Sequence, residues 1–133
     1  MPDIKYLNPP ELGQPLGQYS HMTRVKASEF LFIAGQVRTG KDGKVPEDFD
    51  AQCVNTFAAI EAALKSAGAG WGNVVQFYTF LVHSQDIPKF MKYRLREFPK
   101  FFPGAAYPPN TLLMIDRLVK EELLIEVQAT AAF

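Results

Sequence analysis

Residues 74–83 limit the possible folds more than any other stretch of this chain. They read Val-Val-Gln-Phe-Tyr-Thr-Phe-Leu-Val-His, with apolar side chains at both sets of alternating positions. Because alternate residues of a strand face opposite sides of a sheet, such a strand needs cover on both faces. We predict a central strand. One of its faces carries Val75, Phe77 and Leu81, and the other carries Val74, Tyr78, Phe80 and Val82.

Two segments have the periodicity of amphipathic helices. In the first, apolar residues recur at steps of three and four from Phe49 to Leu64, and Gly68 can close the helix in a left-handed conformation. The second follows Asp86, which we predict as its N-cap, and its apolar stripe stops at Pro99. We therefore expect two core-facing helices separated by the central strand.

The remaining apolar segments have strand patterns, so the chain holds about six strands for its two helices. We expect an α+β domain spanning residues 1–133, in which both helices cover one face of the sheet. The other face is still apolar and needs another molecule, so we infer a homo-oligomer. The other predicted strands lie near residues 5–7, 20–26, 30–36, 110–115 and 123–133.

The strand after residue 109 has a rigid, polar beginning. Pro108 and Pro109 cannot donate ladder hydrogen bonds and hold the chain extended, so pairing should start near Asn110. A polar side chain held at the end of a sheet loses little freedom on binding a ligand. Asn110 is therefore a candidate binding residue, and an ordinary turn asparagine is the alternative.

Composition excludes several classes of function. In 133 residues, fourteen basic side chains balance fourteen acidic ones, so the footprint of a nucleic-acid-binding protein is missing. The two histidines and the single cysteine lack metal-site spacing, and we expect no metal and no cofactor. Cys53 lies on the first helical stripe, which favours a small buried residue over a nucleophile. No stretch is apolar enough for a membrane span, and we expect a cytoplasmic protein.

Several short motifs, in order from Tyr19 to Ala131, resemble the Rid family, also known as YjgF-like proteins or L-PSP endoribonucleases. The resemblance implies a sheet with two helices on one face. It also implies a homotrimer with a barrel-like core and a small-molecule pocket at each subunit interface. The motifs are Gly17-Gln18-Tyr19-Ser20, Phe32-Ile33-Ala34-Gly35-Gln36, Asp50-Ala51-Gln52, Ala67-Gly68, Val74-Val75 and Leu124-Ile125-Glu126-Val127-Gln128-Ala129.

The resemblance also shows where this chain departs from the deaminase branch of that family. There, an arginine at the start of the penultimate strand binds a substrate carboxylate while water attacks an imine. That position is Asn110 here, which has no charge and no guanidinium fork. The branch's acidic residue on the last strand aligns with Gln128, with Glu126 two positions earlier, and its serine before Gly35 is replaced by Ala34. These changes put the standard deaminase activity in doubt.

These residues lead to three hypotheses of function. As an enamine or imine deaminase, the chain would use Tyr19 with Gln128 or Glu126 to place a water. As a non-catalytic trimer, it would bind a metabolite or a protein partner. Endoribonuclease activity ranks last, because no basic stretch and no acid and base pair supports it.

Each candidate side chain also has a plainer interpretation. The alternative for Tyr19 is a packing residue, and the alternative for the candidate cations Arg94 and Arg96 is a pair of solvated helix residues. His83, at the end of its strand, is a further candidate proton carrier, although histidines in such positions more often have no such role. The predicted interface cleft is lined by Tyr19, Ala34, Gly35, Asn110, Thr111 and Gln128.

Overall fold

The computed structural model describes residues 2–37 and 42–133. Within them the chain forms strands, a helix, a strand, a helix and two further strands, in the predicted order. The elements are β1 (Asp3–Leu7), β2 (Met22–Lys26), β3 (Phe30–Gln36), α1 (Phe49–Ser66), β4 (Val74–Leu81), α2 (Ile87–Phe101), β5 (Asn110–Met114) and β6 (Ile125–Ala132).

The six strands form a four-stranded sheet and a separate hairpin. The sheet has the order β3-β6-β4-β5, in which β5 runs parallel to β4 and the other pairs are antiparallel. The hairpin of β1 and β2 lies against the start of β4, where the register with β6 shifts between Val74 and Gln76. Hairpin side chains bond the carbonyls at this irregularity: the Tyr6 hydroxyl donates to Val74 O and Thr23 Oγ1 to Val75 O, both at 2.8 Å.

That register shift corrects the predicted assignment of faces at the start of β4. Val74 pairs with Ala131 and joins the core beneath the helices, although we expected it beside Tyr78. An extra residue in one strand moves every earlier side chain to the opposite face. Val75, expected beside Phe77, is buried where the hairpin meets β4.

The core lies between the helices and one face of the sheet. Its centre is Phe57 of α1, whose ring stacks on Tyr93 with centroids 5.2 Å apart and meets Phe77 and Phe98 edge-on. Cys53 is fully buried on the same helix, as its position on the stripe predicted. Gly68, with φ of 75°, takes the left-handed conformation expected after α1.

The opposite face of the sheet is not covered by the helices. Tyr78 and Phe80 are partly buried there, and Phe32 of β3 is 78% exposed. Phe30 and Leu113 are exposed as well. We call these five residues the open face. A single subunit thus leaves several aromatic side chains in contact with water.

The second helix begins where it was predicted, with Asp86 at the N-cap position, but it ends later than predicted. Asp86 precedes the helix, but its side chain forms no capping bond and instead approaches Lys89 Nζ at 3.3 Å. The helix also continues past Pro99 to Phe101. We attribute this to packing, because Phe101 stacks on Trp71 with centroids 4.4 Å apart and Phe102 lies against Phe98. Tertiary contacts of this size outweigh the local preference of proline.

Gln52 ties α1 to the chain that leads into β6. It is 2% exposed, its Nε2 donates to Pro46 O and Glu122 O, and its Oε1 accepts from Leu124 N. In the described part of the chain, no helix is long and apolar enough to cross a membrane.

Candidate functional site

Asn110 begins β5, as the two prolines before it predicted. The Pro109 carbonyl accepts from Phe77 N at 2.9 Å, and Asn110 is the register partner of Phe77. Thr79 Oγ1 donates to Asn110 Oδ1 at 2.7 Å. Since Phe77 and Thr79 are buried beneath the helices, Asn110 projects toward the helix-covered side of the sheet.

The last-strand candidates lie on the other side of the sheet. Gln128 pairs with Tyr78 and Glu126 pairs with Phe80, so both side chains belong to the uncovered face. Thr111 pairs with Tyr78 from the other neighbouring strand and shares that face. Within one subunit, therefore, Asn110 and Gln128 do not line one pocket.

Ala34 and Gly35, at an irregularity within β3, lie close to Glu126. The register of β3 with β6 shifts between Ile33 and Gln36, and Gln36 Nε2 donates to Ala34 O at 3.1 Å. A Cβ atom at position 35 would overlap the Glu126 carboxylate and lie 2.6 Å from its Cδ. A larger residue at position 35 would have to displace the Glu126 side chain, so glycine permits the close approach that brings two predicted site elements together.

Tyr19 lies at the end of the segment before β2. Its hydroxyl accepts from Leu16 N at 3.1 Å, and its ring meets His21 edge-on with centroids 6.0 Å apart. On its other side, the Arg94 Cζ atom lies 5.6 Å from the centre of the Tyr19 ring. Tyr19 thus connects the loop, a histidine and a helix arginine.

The two candidate arginines have opposite environments. Arg96 is exposed, bonds Asp50 at 3.0 Å and Glu97 at 2.8 Å, and these hydrogen bonds raise its pKa. The Arg96 hydrogen bond in turn lowers the pKa of Glu97. Arg94 is 3% exposed, so its interpretation as a solvated helix residue was wrong. Burial lowers the pKa of Arg94 to about 10.

Two cavities lie near candidate residues. One, of about 410 Å³, is lined in part by His21, Gln76 and Pro109, and so lies next to the first residue of β5, Asn110. His21 and Gln76 were not predicted as site residues from the sequence. His21 could have been proposed because it lies two positions after Tyr19, whereas no sequence signal pointed to Gln76. The other, of about 240 Å³, is bordered by His83 and Arg117 at the far end of β4. Among residues 2–37 and 42–133, no cluster of side chains could hold a metal ion.

Comparison with known proteins gives the chain its family. The family model described as endoribonuclease L-PSP matches residues 11–133. The chain belongs to the Rid family. A RutC family protein of Pyrococcus horikoshii is 31% identical over 120 residues, which cover 89% of each protein.

Solved structures agree with the Rid assignment. The Rid family protein YyfB of Yersinia pestis, whose function is described as unknown, is 29% identical with a TM-score of 0.84, and 98% of each chain is covered. Escherichia coli TdcF, solved with bound serine, has the same fold at 20% identity and a TM-score of 0.71, covering 88% of this chain and 93% of that one.

Proposed function

We propose that this Rid protein is a homotrimer that binds a small ligand in a cleft between subunits and has little 2-aminoacrylate deaminase activity. The observation that carries the proposal is the division of the candidate residues between two sides of the sheet. Asn110 projects to one side, whereas Gln128 and Thr111 project to the other. A second copy that packs against the open face would complete the cleft.

The open face supports self-association. Its exposed members are Phe30, Phe32 and Leu113, at 50%, 78% and 36%. At about 25 cal/mol per Å² of apolar surface, burial of side chains of this size contributes several kcal/mol per subunit. Monomeric proteins rarely leave such a patch uncovered.

The chemistry at position 110 argues against efficient deamination. The Asn110 amide carries no charge, and its oxygen already accepts a hydrogen bond from Thr79. A charge-assisted contact contributes about 1.5–3 kcal/mol, so its absence from the transition state lowers the rate by roughly ten- to a hundredfold or more. The effect on bidentate carboxylate binding is larger still.

A small polar ligand fits the groups that remain. The Asn110 amide group can donate hydrogen bonds to a ligand. The Tyr19 hydroxyl accepts a hydrogen bond from Leu16 N and can still donate its own O–H to a ligand. The description of TdcF with bound serine supports this ligand class, because it shows that the fold can hold a small amino acid. The Asn110 amide and the Tyr19 hydroxyl suffice to bind such a small ligand, so these groups give no reason to propose RNA as the substrate.

A second candidate function, imine hydrolysis on another substrate, is favoured by one contact. Glu126 keeps a carboxylate against Gly35 of β3, where it could act with Tyr19 and Gln128 on a water. In that case Glu126→Gln would abolish turnover while ligand binding persists.

The oligomeric part is tested by sedimentation at micromolar concentration. Wild type should sediment as a trimer, and Phe32→Glu as a monomer, because the new charge would be buried at the interface. Leu95→Glu is the matched control, since Leu95 is 64% exposed on α2, on the other side of the sheet. A wild-type monomer would refute the interface cleft.

The catalytic part is tested by ammonia release from enzymatically generated 2-aminoacrylate. Wild type should show little acceleration, and Asn110→Arg should gain activity because it restores the cation. Leu95→Arg, which adds the same charge at a residue 64% exposed on α2, should gain none. Fast turnover by wild type would contradict the proposal.

A further inference from the structure

Arg94 is a buried cation whose hydrogen-bonding capacity is mostly unused. Its Nη2 contacts Met91 Sδ at 3.0 Å, which is a weak acceptor. Neither Nε nor Nη1 has a hydrogen-bond partner in the described structure, although the side chain is only 3% exposed. Buried guanidinium groups are normally paired with a carboxylate, a carbonyl or water.

Aromatic rings surround the Arg94 guanidinium, and they attract its positive charge without pairing it with a negative one. Its Cζ lies 4.9 Å from the centre of the Phe90 ring and 5.6 Å from that of Tyr19. Aromatic faces attract a cation but accept no strong hydrogen bonds. Two residues further along the helix, Arg96 satisfies its charge with Asp50 and Glu97 at the surface. Among the residues that the structure describes, carboxylates therefore pair with the exposed arginine and none pairs with the buried one.

The segment before β2 covers this guanidinium. Gly17 passes so close that a Cβ atom there would lie 3.0 Å from Arg94 Nη2 and 2.7 Å from Met91 Cε. The same segment supplies Tyr19, whose ring lies between Arg94 and His21. His21 in turn lines the 410 Å³ cavity together with Pro109, the residue before Asn110, so Tyr19 connects the Arg94 guanidinium to the residues of that cavity.

We propose that Arg94 is the anion-binding side chain of this protein and that it takes the carboxylate of a small monocarboxylic acid. The inference rests on the proposed ligand site and deepens it, because it names the group that the ligand must carry. Nη1–H donates to one carboxylate oxygen, and Nη2–H, released from its weak contact with Met91 Sδ, donates to the other, while Tyr19 and Phe90 hold the guanidinium between them. The charge that position 110 lacks is thereby supplied from α2.

The test compares propionate with its neutral analogue propionamide, at constant ionic strength, by thermal shift and calorimetry. Wild type should be stabilised by propionate and should respond much less to propionamide. Arg94→Gln should weaken propionate binding by about ten- to a hundredfold, the range expected for loss of charge-assisted hydrogen bonds. Arg96→Gln, the matched control on the same helix, should bind as wild type does.

A stability measurement separates an anion site from a structural arginine. Without a carboxylate in the buffer, Arg94→Met should be as stable as wild type or more stable, because it replaces an unpaired buried charge by an apolar chain. A large loss of stability in this variant would assign Arg94 a structural role and overturn the proposal.

The same variants distinguish this inference from the proposed function. Unchanged propionate binding by Arg94→Gln would refute the role of Arg94, even if the protein is a trimer and Asn110→Ala still loses binding. If a carboxylate of a second copy fills the Arg94 site, Arg94→Gln would instead dissociate on dilution while its ligand response stays the same. That result would also overturn the inference.

Discussion

Replacement of Gln52 by leucine should destabilise the protein strongly, although the two side chains are similar in size. The side chain is 2% exposed, and it bonds Pro46 O at 2.8 Å, Glu122 O at 2.9 Å and Leu124 N at 2.8 Å. Leucine would leave two carbonyls and one N–H group without these partners. At about 1 kcal/mol for each bond, the loss is about 3 kcal/mol. For a chain of this length, that lowers Tm by roughly 10 °C.

The measurement is urea unfolding of wild type and variants at one protein concentration, because association would change the apparent stability. Gln52→Glu keeps the acceptor for Leu124 N but cannot donate to the two carbonyls, so it should lose at least as much as Gln52→Leu. Val54→Ala, at a residue 47% exposed on the same helix, should change stability by less than about 1 kcal/mol. A loss below about 1 kcal/mol in Gln52→Leu would refute the reasoning.

Three further outcomes follow from individual contacts. Gly35→Ala should lower stability by about 1 kcal/mol, and a double-mutant cycle should show a smaller effect in Glu126→Ala, because the overlapping carboxylate is then gone. Burial raises the pKa of Tyr6 to about 12, so its contribution to stability is fully present below pH 10 and is lost as the pH rises through 12. Unfolding at pH 9 and pH 11 should therefore show a weaker pH dependence for Tyr6→Phe. Burial also raises the pKa of Cys53, so a thiol reagent should label it only after denaturation, and rapid labelling of the native protein would contradict its burial.

Periodicity was sufficient to predict the elements of this fold but not the way in which they meet. The stripe from Phe49 to Leu64 and the prolines before Asn110 are local signals, and both predicted element boundaries accurately. The shift between Val74 and Gln76 depends on pairing with β6, a strand about fifty residues away, so no local pattern contains it. The extension of α2 past Pro99 likewise depends on Trp71.

The candidate site was harder to predict because its residues lie on opposite faces of the sheet. The sequence predicted Asn110 at the start of its strand and Gln128 within the last strand, and both lie there, but only the register shows that the first faces the helices and the second does not. Burial of Arg94 was equally hidden, since both arginines of α2 carry the same charge and lie only two positions apart. Two positions on a helix differ by about 200° around its axis, which is enough to take one side chain inward and leave the other in water.

The division of the site between two faces also constrains how its chemistry could change. A carboxylate-binding arginine at position 110 would start from the helix-covered side of an edge strand, where Thr79 now bonds Asn110. Arg94 reaches the same side of the sheet from α2, held between Phe90 and Tyr19. A cation at either position would therefore act from the helix-covered side, whereas the Gln128 and Glu126 side chains lie on the open face. The charge could thus move from β5 to α2 without disturbing the polar groups of β6, whereas moving it to the open face would place a cation among the aromatic residues of that face.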